Sequence, residues 1–139
     1  PDTVTRIADG AFNGCSSLTN VVISNGVIEI GNYAFSKCDN LASVVIPSSV
    51  KSIGYDAFSE CSSLTSVDIS EGVKTIENCV FNDCEQLTEI TIPDSVTNVD
   101  KNMFGYWNRN NIVVHTKEGS AADKVLKGDD HIILVYDGK

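Results

Sequence analysis

The sequence predicts an α/β repeat solenoid, a stack of about five 23-residue rungs that a helix and a strand close at the C-terminal end. Two observations lead to this prediction. One pattern of apolar residues recurs every 23 positions, and no inserted residue breaks the count from Val4 to Phe104. Self-similarity at a fixed period of about 20 to 50 residues indicates stacked repeats, each of which packs only on its neighbours.

The apolar residues fall into columns, in which each member stands one repeat from the next. Because an inserted residue would displace a whole rung, the strict period predicts that like side chains pack directly on one another. We therefore expect a continuous spine of phenylalanines inside the molecule. The aromatic column is Phe12, Phe35, Phe58, Phe81 and Phe104, and the sulfur column beside it is Cys15, Cys38, Cys61 and Cys84.

Residues 64–86 show the expected content of one rung. Apolar and polar residues alternate over residues 64–69, which indicates a short strand with one buried face. Residues 70–72 favour a turn, and residues 73–76 a second short extended segment. The apolar residues that follow have helical spacing, so about two helical turns are predicted there. These residues are Ile76, Val80, Phe81 and Cys84.

The period fails beyond residue 115, where different elements are predicted. Ser120 and Asp123 resemble a capping box that opens a short helix, and Gly128 ends it. Residues 131–136, HIILVY, are typical of a last strand. Trp107 stands in the cysteine column where the array ends, and we expect it to pack under this cap.

The two ends of the chain suggest its domain organisation. Pro1 and Asp2 align with Pro93 and Asp94, so the chain begins in the middle of a repeat. An open rung exposes apolar side chains and an unpaired strand edge. Two alternatives are therefore expected: the chain is a piece of a longer protein, or another molecule covers this uncapped N-terminal rung, as in end-to-end self-association. We assign the repeats to residues 1–109, with the first one truncated at its start, and the C-terminal cap to residues 110–139.

The repeat resembles a known family. The pattern LxxVxIPxxVxxIxxxAFxxCxx, which begins at Leu41 and ends after Cys61, is similar to the BspA-like leucine-rich repeat, also called the Treponema pallidum type. The resemblance implies a right-handed leucine-rich-repeat superhelix with a cap of the kind predicted above. It also implies a bacterial or protozoan surface protein that takes part in adhesion and binds host or partner proteins.

Composition excludes several classes of partner. Ten basic and nineteen acidic residues give a net charge of −9 and a pI near 4.4, which repels a phosphate backbone or an anionic membrane. No run of about 18 apolar residues is present, so no membrane insertion of this segment is predicted. The partner is expected to be a protein, with a host or extracellular matrix protein as the candidate, and not a nucleic acid.

No cofactor, metal site or catalytic activity is predicted. The column cysteines are expected to be reduced and buried, whereas Cys79 is expected to be exposed or partly exposed and chemically accessible. The two histidines, His115 and His131, lie in the cap region without a nucleophile motif. Acidic pairs on neighbouring rungs leave calcium binding open against the simpler interpretation of a solvated face. These pairs are Glu60 with Asp83, Glu71 with Asp94, and Glu77 with Asp100.

The outward positions of the strands are the candidate binding surface, because stacked strands form a broad and rigid platform. We predict a non-catalytic, adhesion-like recognition module, extracellular or at the cell surface, that binds a protein or a glycan through this face. The alternative is a structural spacer or a self-assembling stalk segment of a larger surface protein. The candidate binding residues are Asn20, Val22, Ser43, Val45, Ser66, Asp68, Glu89, Thr91 and, as an aromatic anchor, Tyr106.

Overall fold

The structure, a computed structural model, describes residues 3–137. Its regular elements are short strands and one short helix. In chain order they are β1 (Arg6–Ile7), β2 (Glu29–Ile30), β3 (Ser43–Ile46), β4 (Ser52–Ile53), β5 (Ser66–Ile69), β6 (Thr75–Ile76), β7 (Glu89–Thr91), β8 (Asn98–Val99), β9 (Ile112–Thr116), α1 (Ala121–Leu126) and β10 (Ile132–Tyr136).

The strands form two parallel sheets, so each rung contributes to two walls of the solenoid. The short-strand sheet has the order β1-β2-β4-β6-β8, and the long-strand sheet has the order β10-β9-β7-β5-β3. Ser43 pairs with Ser66, and Ser66 with Glu89, each one repeat further along the chain. Adjacent rungs therefore stack directly, as the period of 23 predicts.

The phenylalanine column forms the predicted spine. Its ring centroids are 5.3, 5.1, 5.8 and 6.3 Å apart from Phe12 to Phe104, and the first three pairs are stacked nearly parallel. Phe35 and Phe58 are 0% exposed, whereas Phe12 on the first rung is 42% exposed. The spine is thus a core that needs a neighbouring rung on each side to exclude water.

The helical turns predicted from the spacing of residues 76–84 are wrong. We call residues 31–38, 54–61, 77–84 and 100–107 the turn segments, because the structure gives them turns instead of helix. In the first three of these segments alternate backbone N–H groups donate to the next rung, others donate to a carbonyl three residues back, and none donates to a carbonyl four residues back. Phe35 N donates to Ala57 O at 2.7 Å, and Phe58 N donates to Val80 O at 2.9 Å. The turn segments therefore form a third, hydrogen-bonded wall.

Backbone conformation explains how the turn segments satisfy these bonds. Two residues in each of three turn segments have a positive φ, a region that costs most residues about 1–2 kcal/mol. A non-glycine residue tolerates it only where the surrounding structure compensates, and here the inter-rung bonds do so. The residues are Tyr33, Lys37, Asp56, Glu60, Cys79 and Asp83.

The first rung differs from the prediction. No strand forms over residues 18–24, and the backbone contact there, from Ala42 N to Thr19 O, is long at 3.5 Å. Within the described residues this segment has a neighbour on one side only, so it lacks the second ladder that holds β5 and β7 in place.

The predicted cap is present, with one correction. Ser120 is the N-cap of α1 and its Oγ accepts a hydrogen bond from Asp123 N, while Gly128 follows the helix with φ 92°. Trp107 does not pack under this cap, because its side chain is 86% exposed. The buried side chains of Ala122 and Leu126 close the end of the core in its place.

We expect Phe58→Ala to lower the free energy of unfolding by about 3–5 kcal/mol, because the substitution leaves a cavity between two stacked rings. Phe12→Ala in the same column is the matched control and should cost less than about 2 kcal/mol, since that ring is already partly hydrated. Urea denaturation of both variants measures the difference. Equal losses would contradict a spine that is buried in its middle and open at its first rung.

Lys37 tests the turn conformation. At an ordinary exposed site alanine is more stable than glycine by about 0.5–1 kcal/mol, but the positive φ at Lys37 reverses this order. We therefore expect Lys37→Gly to be more stable than Lys37→Ala by about 1 kcal/mol in urea denaturation. Both variants lose the Lys37–Glu60 ion pair, so this loss cancels in the comparison. A more stable alanine variant would show that this residue does not adopt the left-handed conformation.

Candidate functional site

The outer side of the long-strand sheet carries two straight rows of outward side chains, which together we call the strand face. Strand register places them, because paired residues on parallel strands point the same way. The first row is Ser43, Ser66, Glu89, Val113 and Ile133. The second row is Val45, Asp68, Thr91, His115 and Val135.

The structure divides the predicted binding residues into three groups. Six of them lie on the strand face as expected: Ser43, Val45, Ser66, Asp68, Glu89 and Thr91. Asn20 and Val22 are exposed on the first rung, outside any strand. Tyr106 belongs to a turn segment, where its hydroxyl accepts a hydrogen bond from Asn78 Nδ2 at 2.7 Å.

His115 is a strand-face residue that the sequence analysis places only in the cap region. Its Nδ1 lies 2.6 Å from Asp137 Oδ2, and its Nε2 lies 2.9 Å from Glu89 Oε1. The β7–β9 register explains the omission: Glu89 pairs with Val113, 24 positions on and not 23. A count that allowed one inserted residue after the fourth repeat would have placed His115 in the second row.

This arrangement makes His115 a fixed polar feature of the surface. Both ring nitrogens are engaged by carboxylates, and the side chain is only 22% exposed. The ring links β7, β9 and the residue after β10, so it stabilises the part of the strand face nearest the cap.

A groove of about 870 Å³ lies where the long strands end. Pro93 and the 38% exposed Tyr136 line it together with Asp68, Thr91 and His115 of the second row, while Ile69 and Ile92 in its lining are at most 1% exposed. Its rim is acidic, with one ion pair between Lys117 Nζ and Asp94 Oδ2 at 3.5 Å. The additional rim carboxylates are Glu71, Glu118 and Asp137. A groove of this kind suits an apolar side chain or one with a positive end.

The cysteines are structural in this arrangement. All five are free thiols, and those of Cys38, Cys61 and Cys84 donate to the phenylalanine carbonyl of the preceding rung at 3.0 to 3.4 Å. Burial raises the pKa of the Cys38 thiol to about 11, and the charges of the neighbouring cysteines add to this effect. A thiol with so high a pKa is a poor nucleophile at neutral pH.

The prediction that Cys79 is exposed is wrong. Its side chain is buried, with only 8% exposed, and its Sγ lies 2.9 Å from Asn78 Oδ1. Burial raises the pKa of the Cys79 thiol, and the nearby carboxylates raise it further. The sequence could not show this, because the residues at the corresponding positions of other rungs are of mixed character.

Two further findings concern metal ions and membranes. Over residues 3–137, no group of three or more histidine, cysteine, aspartate or glutamate side chains is placed to hold a metal ion. The helix found within the same range is far too short to cross a bilayer.

Comparison with known proteins gives a family match that covers most of the chain. The model of the BspA-type leucine-rich repeat region matches residues 1–116 in six copies, one more than the approximate number of rungs that the sequence predicts. A comparison with proteins of curated function gave no match.

Several solved structures have the same fold. The chain is similar to the leucine-rich repeat protein of T. pallidum, with a TM-score of 0.76 and 30% identity over 81% of this chain and 52% of that one. It is also similar to a leucine-rich repeat protein from Bacteroides ovatus, with a TM-score of 0.62 and 26% identity over 84% of this chain and 32% of the other. A leucine-rich cell surface protein from Faecalibacterium prausnitzii has a TM-score of 0.52 and 27% identity, with coverage of 86% and 40%. The chain thus spans about half of the T. pallidum protein and less of the other two.

The position of the cysteines predicts their reactivity. At pH 8, a thiol with a pKa of about 11 is only about 0.1% ionised, so native Cys38 should react slowly with iodoacetamide. Its labelling should accelerate between pH 8 and pH 10, because the thiolate fraction rises with pH. Half-buried Cys15 should react first, and all five should react rapidly in denaturant, as mass spectrometry of the labelled peptides can show. If Cys38 reacted as fast as Cys15 in the native protein at pH 8, the buried sulfur column would be contradicted.

Proposed function

This chain belongs to the family of BspA-type leucine-rich repeat proteins, and we propose that it is a non-catalytic recognition module that binds a partner protein through its strand face. The strand face is the observation that carries this proposal. It presents two straight rows of side chains on five paired strands, so its shape is fixed before a partner arrives. A preformed surface loses little conformational entropy on binding.

The chemistry of the strand face favours a protein partner. Val45 and Ile133 are more than half exposed. Asp68 lies beside Val45 in the second row, and Glu89 lies two strands from Ile133 in the first row. The groove continues this combination with the exposed ring of Tyr136 and an acidic rim. Apolar contacts inside a polar border are the usual anatomy of protein interfaces. We expect the partner surface to be apolar in its centre and basic at its border.

The relatives support a location at the cell surface for this function. The F. prausnitzii protein is described as a leucine-rich cell surface protein, and the B. ovatus and T. pallidum proteins share its repeat fold. An adhesion-like role towards host or extracellular matrix proteins is the specific form of the proposal. It also agrees with the net charge of −9, which disfavours nucleic acid as a partner.

The test is a double substitution in the second row, Val45→Lys with Asp68→Lys. Two lysines in the centre of the strand face remove its apolar contact and reverse one of its charges. We expect affinity for immobilised extracellular matrix proteins to fall at least about ten-fold, as for residues near the centre of an interface. Surface plasmon resonance measures this change.

A matched control separates the strand face from charge alone. Thr97→Lys with Asp130→Lys also replaces one neutral and one acidic residue, so it changes the net charge equally. Thr97 stands in a column that already contains Lys51 and Lys74, so a lysine fits there. Equal losses in both double variants, or unchanged binding in the strand-face variant, would contradict the proposal. If the protein bound immobilised neutral glycans and no matrix protein, the assignment of a protein partner would be contradicted.

A further inference from the structure

The turn side of the solenoid carries exposed aromatic side chains that the fold does not use. Tyr33, Tyr55, Tyr106 and Trp107 are 42%, 45%, 61% and 86% exposed. Other rungs place small or polar residues at the positions of Tyr33 and Tyr55, so stacking of the repeats does not require a ring there. These counterparts are Gly10, Asp56, Cys79 and Asn102 for Tyr33, and Asp9, Asn32, Asn78 and Lys101 for Tyr55.

One direct ring contact and two hydrogen bonds through intermediate residues connect these aromatic residues across neighbouring rungs. The rings of Tyr33 and Tyr55 meet edge to face, with centroids 5.3 Å apart and planes at 86°. Asp56, beside Tyr55, donates its backbone N–H to Asn78 O at 3.2 Å, and Asn78 Nδ2 donates to the Tyr106 hydroxyl at 2.7 Å. Trp107 follows Tyr106 directly. We call the four aromatic residues, in this order, the aromatic row.

Carboxylates surround the aromatic row. The charge of Asp56 raises the pKa of the Tyr33 phenol. Burial raises the pKa of the Cys79 thiol, and the charges of Asp56, Asp100 and Asp83 raise it further. The four turn segments contain five acidic and two basic side chains. The acidic ones are Asp56, Glu60, Glu77, Asp83 and Asp100, and the basic ones are Lys37, paired with Glu60 at 3.8 Å, and Lys101.

Exposed rings next to carboxylates favour a cationic ligand. A ring face attracts a cation through its quadrupole, and a nearby carboxylate adds a charge-assisted hydrogen bond. The guanidinium of arginine uses both at once, because it is planar and presents its donors in a fork. Anionic groups are repelled by the same carboxylates.

We propose that the aromatic row is a second binding surface, which takes an arginine-containing segment of a partner protein independently of the strand face. Tyr33 and Tyr55 provide the faces on which the guanidinium stacks, Asp56 accepts its hydrogen bonds, and Tyr106 with Trp107 extends the contact along the segment. Rings with few rotatable bonds lose little entropy on binding, which suits them as anchors.

Trp107 is the single tryptophan of the chain and therefore reports on this surface directly. We would titrate the whole chain with a ten-residue peptide of alternating arginine and glycine, and with a matched peptide of serine and glycine. Saturable quenching of Trp107 fluorescence is expected with the arginine peptide only, and it should weaken as salt is raised.

The decisive variant is Tyr33→Asn with Tyr55→Asn. Asparagine tolerates the positive φ of residue 33 and already occupies the column of Tyr55, so the rings are removed with little change to the backbone. We expect the affinity for the arginine peptide to fall at least about five-fold, in line with the loss of stacking and cation–π contacts. Thr97→Ala, at an exposed position outside both the strand face and the aromatic row, is the control and should leave the titration unchanged.

Three outcomes would overturn the inference. The first is equal quenching by the serine and arginine peptides, and the second is no change in affinity when both rings are removed. The third is saturable quenching by a neutral oligosaccharide but not by the arginine peptide, which would assign different chemistry to the row. The strand-face proposal is tested by substitutions at Val45 and Asp68, and the aromatic row by substitutions at Tyr33 and Tyr55. The failure of one proposal is therefore distinguishable from the failure of the other.

Discussion

The packing of each phenylalanine on its counterpart one rung away is the contact on which the rest of the structure depends. Rings about 5 to 6 Å apart fix the spacing of the rungs, and this spacing matches the separation of paired strands. Backbone hydrogen bonds can then form between rungs on every wall. The sulfur column follows from the same spacing, since each buried thiol reaches the phenylalanine carbonyl of the preceding rung. An inserted residue would interrupt all of these contacts together.

This constraint separates the two kinds of position in the repeat. Inward residues such as Leu41, Ile53 and Leu64 are fully buried and repeat with little change. Outward residues carry no such restriction, so one column can hold a valine, an aspartate, a threonine and a histidine in succession. The rigid interior therefore presents two independent surfaces, the strand face and the aromatic row, on different walls of the same stack.

The sequence predicts those parts of the structure that depend on the period alone. The spine, the strand positions, the parallel stacking and the cap helix at Ser120 all follow from spacing and local capping chemistry. Apolar spacing at i, i+4 and i+5 predicts a helix, but it fits the turn segments equally well, although their N–H groups bond to the next rung. Only the backbone conformation, such as the positive φ of Lys37, distinguishes these turns from a helix.

The candidate site was harder to predict, because it depends on where the period changes. His115 lies in the second row because the strand register there is 24, and Trp107 is exposed while Ala122 and Leu126 of the cap are buried. Cys79 is buried and contacts Asn78, which itself bonds to Tyr106. Each of these is a contact between residues outside the repeating pattern, and spacing contains no information about such contacts.

The hydrogen bonds between rungs also determine how this molecule would respond to mechanical load. They run along the length of the stack on all three walls, so a pull applied to the two ends strains them in the direction in which they separate. The rungs would detach one after another, each releasing 23 residues, about 75 Å of extended chain. A solenoid with this design would lengthen in steps under load and absorb work at each step.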